Sequence, residues 1–242
     1  MITAAGVDKD GVDQGGAWCV VVAAGSGARF GSAKQFATLD GDRVVDLAVA
    51  TAKQVCDGVV LVAPSNALEQ ASTTGADLVV AGGDTRSASS LAGVQAVPDS
   101  AEFVLVHDAA RPLATAALFS TVLDSVLAGC QAVIPVVPVI DSIRDTTGAA
   151  VPRENLLAVQ TPQGFAAGVL RDALAGAPDA TDDAQAVEST GVAVTMVPGE
   201  PDNVKITRPA DLAFVRAVLA LRRSPSRGSA DSDAADDDEG GR

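Results

Sequence analysis

Aromatic residues are scarce in this chain, at 3% of 242 residues, so its core has to be built from aliphatic side chains. Valine and alanine dominate the 48% hydrophobic fraction, a composition that suits the buried strands of a soluble α/β protein. No apolar run approaches ~20 residues, the length that spans a bilayer, which argues against a transmembrane helix and a membrane partner. The N-terminus has no basic segment leading into an apolar one, so no secretory signal is expected. Basic charge is also in short supply, with 17 Lys and Arg against 31 Asp and Glu and a net charge of −14. Binding a phosphate backbone needs a basic face, so nucleic acid is not an expected partner. Cysteines are few, and Cys19, Cys56 and Cys130 stand far apart in apolar surroundings. Reduced, buried thiols in the cytoplasm are the expected state. With a single histidine and no clustered cysteines, nothing supports a dedicated zinc site.

What the chain does contain is an alternation of strand-like and helix-like segments. The strand-like runs are Trp18 to Ala23, Val59 to Ala63, Leu78 to Ala81, Phe103 to Val106, Ala132 to Val139 and Val192 to Val197. Between them Val44 to Val55, Thr85 to Val97, Thr115 to Ala128, Phe165 to Leu174 and Thr181 to Ser189 read as helices. That order predicts an α/β fold, a mostly parallel sheet with helices on both faces. From Pro138 to Gln160 the pattern breaks, and Asp145-Thr146-Thr147-Gly148 is turn chemistry between two short β-prone stretches. This reads as a hairpin, too thin to be stable alone, that packs either on its own domain or on another subunit. Residues 1–16 and 224–242 read as disordered flanks of a single domain over 17–223. The second flank combines a Ser, Pro and Gly stretch with an acidic run and has no core-forming residues.

Ligands of such sheets bind beyond the carboxyl ends of the strands, and four groups of residues fall there. The first is Ala23-Ala24-Gly25-Ser26-Gly27-Ala28-Arg29, followed five residues later by Lys34. Phe30 breaks the dinucleotide pattern G-x-G-x-x-G, and Lys34 between Ala33 and Gln35 breaks the P-loop pattern. A generic turn explains the glycines but not two cations in an acidic protein. Backbone N–H groups plus Arg29 and Lys34 suit a triphosphate. The second group is Gly82-Gly83-Asp84-Thr85 with Ser89, where Asp84 or Thr85 can cap a helix and the rest suits base and ribose contacts. The third is His107-Asp108-Ala109-Ala110-Arg111, in which Asp108 can accept hydroxyl protons or help hold a metal ion, while His107 is expected to be structural. The fourth pairs Arg153, on the expected hairpin, with Lys205, one of only four lysines. Surface charge beside helices explains that pair equally well.

Together these blocks resemble the 2-C-methyl-D-erythritol 4-phosphate cytidylyltransferase family over roughly Ala17 to Leu221. The loop at Ala23 to Arg29 is shared with nucleotidyltransferases in general. Its succession by Gly82-Gly83-Asp84, Val106 to Pro112, Gln160-Thr161-Pro162-Gln163 and Lys205-Ile206-Thr207 is far more specific. The resemblance implies a Rossmann-like nucleotidyltransferase fold with a protruding β-arm, here 138–160, through which two copies form a homodimer. It implies transfer of CMP from CTP to methylerythritol phosphate, with Mg²⁺ bound mainly through the CTP phosphates and no separate protein metal site. Arg29 and Lys34 then look like the catalytic cations. Ala23, Ala24, Gly25, Ser26 and Gly27 would hold the triphosphate, and Gly82, Gly83, Asp84 and Ser89 the cytidine. Asp108, Arg111, Ser142 and Thr161 would bind the acceptor. Arg153, from the partner's arm, and Lys205 would position the acceptor phosphate.

Three departures stand out. Ala33 replaces the usual proline before the lysine in a loop that is short for the family, Ser142 replaces a threonine, and the acidic tail has no counterpart. None removes a cation. The alternatives are a cytidylyltransferase for another polyol phosphate such as ribitol 5-phosphate, a sugar-phosphate nucleotidyltransferase using UTP or GTP, and a non-catalytic nucleotide-binding module.

Overall fold

The computed structural model describes residues 16–25, 34–39, 41–176 and 180–223. The expected flanks therefore lie outside the described residues, except for Gly16. In chain order the elements are β1 (Ala17–Val22), β2 (Thr38–Leu39), β3 (Asp42–Arg43), α1 (Val44–Ala52), β4 (Gly58–Ala63), α2 (Leu68–Ala71), β5 (Leu78–Ala81), α3 (Arg86–Ala96) and β6 (Phe103–Asp108). There follow α4 (Ala116–Leu127), β7 (Ala132–Pro138), β8 (Ile143–Arg144), β9 (Ala150–Val151), β10 (Leu157–Val159), β11 (Gln163–Ala166), α5 (Ala167–Gly176), α6 (Asp183–Glu188), β12 (Thr195–Pro198) and α7 (Pro209–Arg223).

Strands β5, β4, β1 and β6 lie side by side and parallel. Their side chains alternate between two cores, as the pleat requires. Cys19, Val21, Val59, Leu61 and Leu105 point into one core with α1 and α4. Val20, Val60, Val62, Val104 and Val106 point into the other with α3, α5 and α6. A strand covered on both faces needs apolar residues in succession, which is why these segments read as unbroken hydrophobic runs.

Strand β11 enters antiparallel between β6 and β7, pairing Gln163 with Val106 and Gly164 with both Leu105 and Val133. Its reversal brings the start of β11, not its end, to the edge where β1, β5 and β6 finish. Strand β7 carries β12 on one edge and β10 and β11 on the other, since Val136 pairs with both Val159 and Pro198. Beyond β7, β8 and β9 form a separate two-stranded ribbon. Asp145 closes it by accepting hydrogen bonds from the Thr147 and Ala149 N–H groups at 2.9 and 3.0 Å, with Gly148 at φ +91°.

Two expectations need correction. The segment Phe165 to Leu174 is not helical throughout, because Phe165 is a fully buried strand residue and the helix begins at Ala167. The chain also adds α7, for which no helix was expected. Its Val215 and Leu219 close a third core with Leu39, Val44, Leu113 and Ile206.

Candidate active site

The loop after β1 starts from a fixed point, since the Ala23 N–H donates to the Val62 carbonyl at 2.8 Å. Ala23, Ala24 and Gly25 line a cavity of about 570 Å³. Ser26, Gly27 and Arg29 lie outside the described residues. The loop's far end is the short helical turn Lys34–Phe36. There Gln35 Nε2 reaches back to the Gly25 carbonyl at 3.4 Å, and Lys34 Nζ donates to the carbonyl of Ile206. Lys34 thus ties the first loop to the segment that carries Lys205, and both lysines line the cavity.

The second wall follows β5. A Cβ on Gly82 would stand 2.2 Å from the Ala24 Cβ and 2.9 Å from Ser89 Oγ, so only glycine lets the two loops meet. Thr85 is the cap of α3, its Oγ1 accepting from the Ala88 N–H at 3.0 Å, which leaves Asp84 without that task. Ser89 is buried and donates to the Thr85 and Gly83 carbonyls at 2.9 and 3.2 Å. Its hydroxyl shapes the Gly83-Asp84-Thr85 wall from behind. Gly83, Asp84 and Ser89 line the cavity, and Gly82 supports it.

At the end of β6, Asp108 is ringed by cations. Lys205 Nζ stands 2.6 Å from Oδ2, Arg111 Nε 3.9 Å from the same oxygen, and Arg86 Nη2 3.6 Å from Oδ1. Burial would raise this carboxyl, but Lys205, Arg86 and Arg111 hold it well below the usual carboxylate range. Asp108 is therefore a permanent anion at neutral pH. Behind it, His107 is fully buried, and burial outweighs the pull of Asp108 to bring its pKa to about 4. A neutral imidazole with Nε2 at 3.2 Å from the Arg111 carbonyl carries its proton there. Nδ1 is then the acceptor for the Thr161 hydroxyl at 3.0 Å, and Thr161 Oγ1 accepts from the Asp108 N–H at 3.0 Å. The histidine expected to be structural is the peg that joins the end of β6 to the start of β11.

A second recess of about 140 Å³ adjoins the first and shares Arg86, Asp108 and Lys205 with it. Arg111 and Thr161 line it too. Arg111 is largely engaged, donating to the Asn203 carbonyl at 2.7 Å and the Val159 carbonyl at 3.3 Å. Ser142 and Arg153 line neither space. Arg153 lies in the turn between β9 and β10 and donates to the Ile140 carbonyl. The expected site thus divides: Ala23, Ala24, Gly25, Lys34, Gly83, Asp84, Ser89, Asp108, Arg111, Thr161 and Lys205 converge, while Ser142 and Arg153 stand apart.

The residues missed are Arg86, Gln35 and Asp183. Arg86 is the first residue of α3, three residues after Gly83, and a cation at that position was the available signal. Asp183 ion-pairs with Arg86 at 2.8 Å, although Asp182 already caps α6, so a second acid there had no local purpose. As for a metal, the carboxylates lining the larger cavity are Asp84 and Asp108, and Asp108 is committed to Lys205. Among the described residues no three acidic, histidine or cysteine side chains cluster as a metal cage. The donor set fits an ion that arrives with its own oxygen ligands.

Comparison with known proteins gives a consistent picture. Residues 17–221 match the family model for 2-C-methyl-D-erythritol 4-phosphate cytidylyltransferase. The protein of that name from Rhodococcus jostii is 44% identical over 212 residues, covering 83% of this chain and 93% of its own length. The bifunctional enzyme IspD/IspF of Solidesulfovibrio magneticus is 41% identical over 228 residues, but the alignment spans 84% of this chain and 57% of that protein. Among solved structures, the 2-C-methyl-D-erythritol 4-phosphate cytidylyltransferase of Thermus thermophilus superposes with a TM-score of 0.73 at 34% identity, covering 83% of this chain and 98% of its own. The 4-diphosphocytidyl-2C-methyl-D-erythritol synthase of Anaerococcus prevotii gives a TM-score of 0.74 at 27% identity, covering 84% and 98%.

Proposed function

The chain belongs to the 2-C-methyl-D-erythritol 4-phosphate cytidylyltransferase family, and from that premise we infer that it moves CMP from CTP to 2-C-methyl-D-erythritol 4-phosphate. Pyrophosphate leaves and 4-diphosphocytidyl-2-C-methyl-D-erythritol is formed, a step of non-mevalonate isoprenoid synthesis. One observation supports it above the rest: a larger cavity walled by glycine loops adjoins a smaller recess, and Arg86, Asp108 and Lys205 line both. That is the form needed for two substrates to meet at one phosphorus.

On this reading the triphosphate lies along Ala23 to Gly27 with its charge met by Arg29 and Lys34, and the cytidine lies against Gly82, Gly83, Asp84 and Ser89. The acceptor sits by Asp108, Arg111 and Thr161, with its phosphate held near Lys205. An acceptor phosphate oxygen attacks the α-phosphorus in line. A new P–O bond forms as the bond to the β-phosphate bridge breaks, and that electron pair leaves with pyrophosphate. No covalent enzyme intermediate is needed, so positioning and charge neutralisation supply the rate. Magnesium, bound mainly through the CTP phosphates, would add neutralising charge. Ser142 and Arg153 take part through dimerisation, the arm of one copy bringing them to the acceptor phosphate of the other. A cytoplasmic setting fits this reading, because thiols such as Cys19, Cys56 and Cys130 would stay reduced there.

The test is pyrophosphate release from CTP with methylerythritol phosphate, ribitol 5-phosphate or no acceptor, and from UTP with methylerythritol phosphate. Turnover is expected with CTP and methylerythritol phosphate. Turnover on ribitol 5-phosphate alone, or a strong preference for UTP, would replace this reading.

A further inference from the structure

The recess beside Asp108 has a second carboxylate behind it. Asp183 is buried, with its side chain 1% exposed, and its ion pair with Arg86 at 2.8 Å is the one salt bridge it makes among the described residues. Its position is built with care. Asp182 caps α6 by accepting from the Gln185 N–H at 2.8 Å. Buried Gln163 then grips both sides of the turn, donating to Asp182 at 3.1 Å and accepting from the Ala184 N–H at 3.1 Å. The start of β11 therefore fixes where Asp183 stands.

Arg86 sits between two carboxylates and is held closer to the one that is away from the cavities. It lies 2.8 Å from Asp183 but 3.6 Å from Asp108 Oδ1, beyond a normal hydrogen bond. Lys205 and Arg111 both face the other oxygen, Oδ2. Among the described residues Oδ1 is consequently the Asp108 oxygen that accepts no hydrogen bond, in a residue that lines both cavities. Leaving a buried carboxylate without its cation is strongly unfavourable, so Arg86 cannot abandon Asp183 to close on Asp108.

Building on the cytidylyltransferase reading, we propose that Asp183 is a positioning residue of the acceptor site: by anchoring Arg86 it keeps Asp108 Oδ1 available to a hydroxyl group of the polyol phosphate. Asp183 touches no substrate itself. Without its charge Arg86 closes on Oδ1 and takes the acceptor's place, while the glycine loops that hold the nucleotide are unaffected.

Steady-state kinetics of the full chain test this with both substrates varied. D183N should raise the acceptor KM at least ~10-fold and leave the CTP KM within ~2-fold, the pattern of a lost acceptor contact. D183E, which restores the charge, should recover most of the loss. Should D183N fold poorly, the pair R86Q/D183N replaces the ion pair by two amides. If Asp183 acts only through Arg86, adding D183N to R86Q changes the acceptor KM by less than ~2-fold, because coupled residues are not additive. Equal shifts in both KM values, an unchanged acceptor KM in D183N, or multiplied effects in the double variant would overturn the proposal. A wild-type protein inactive on CTP and methylerythritol phosphate would instead overturn the cytidylyltransferase reading beneath it.

Discussion

Lys34 and Lys205 are far apart in the chain, yet Lys34 donates to the carbonyl of Ile206, the residue after Lys205. Lys34→Ala removes a positive charge from the wall of the larger cavity and, on the proposed function, should lower kcat by at least ~10²-fold in a pyrophosphate assay, the scale of one lost transition-state contact. Two glycines separate binding from stability. Gly82→Ala drives a methyl group against Ala24 and Ser89, so it should weaken CTP binding by calorimetry at least ~10-fold, as well as destabilise by about 1–3 kcal/mol. Gly93→Ala meets Val20 and Val62 in the core at 2.3 and 2.6 Å, and should destabilise similarly while the folded fraction binds CTP normally. His107 carries a pH signature. Its folded pKa of about 4 lies below the ordinary value, so between that pH and about 6.5 the unfolded chain binds a proton that the folded one refuses. Stability from this group is full above that window and is lost as pH falls through it, by on the order of 3 kcal/mol. Urea unfolding at pH 7 and pH 5 should show the slope, and His107→Asn should flatten it. An equal slope in the variant would contradict the assignment.

At the scale of elements, the site depends on which strand ends come together. Strands β1, β5 and β6 end at one edge because they are parallel, which brings the loop residues Ala23 and Gly83 and the last β6 residue, Asp108, there. That much was legible, because unbroken Val-rich runs followed by Gly, or by charged residues, mark strand ends in such sheets. Strand β11 was not legible. Phe165 to Leu174 has apolar spacing that a helix also satisfies, and only the slot between β6 and β7 makes Phe165 a strand residue. Without that slot nothing in the sequence joins Thr161 to His107. Helix α7 did carry signals, with Pro209 at its first position and Asp211 accepting from the Thr207 and Arg208 N–H groups at 2.7 and 2.8 Å. It packs on Ile206 beside Lys205. Leu219→Ala should therefore cost about 2–4 kcal/mol in urea unfolding.

At the scale of the molecule, two cores on opposite sheet faces hold a cleft whose cations offset a net charge of −14 only locally. The segment 138–160 leaves Ile140 81% exposed and Leu157 46% exposed, while Arg153 does not line the cleft. If two copies share sites, a mixed dimer of Lys34→Ala and Arg153→Ala chains has one site with both cations intact. Co-expression should recover a measurable part of the activity that each variant alone lacks, and no recovery would argue that Arg153 does not act across subunits. The sequence by itself determined the fold class, the glycine loops and the cations Lys34 and Lys205, and it narrowed the cap of α3 to Asp84 or Thr85. These depend on local backbone chemistry and on hydrophobic period, both written in neighbouring residues. Only the tertiary structure decided the partners: Lys205 with Asp108, Thr161 with His107, and Asp183 with Arg86. Ion pairs and hydrogen bonds act over a few ångströms, and strand order, which no residue records alone, sets which distant segments come that close.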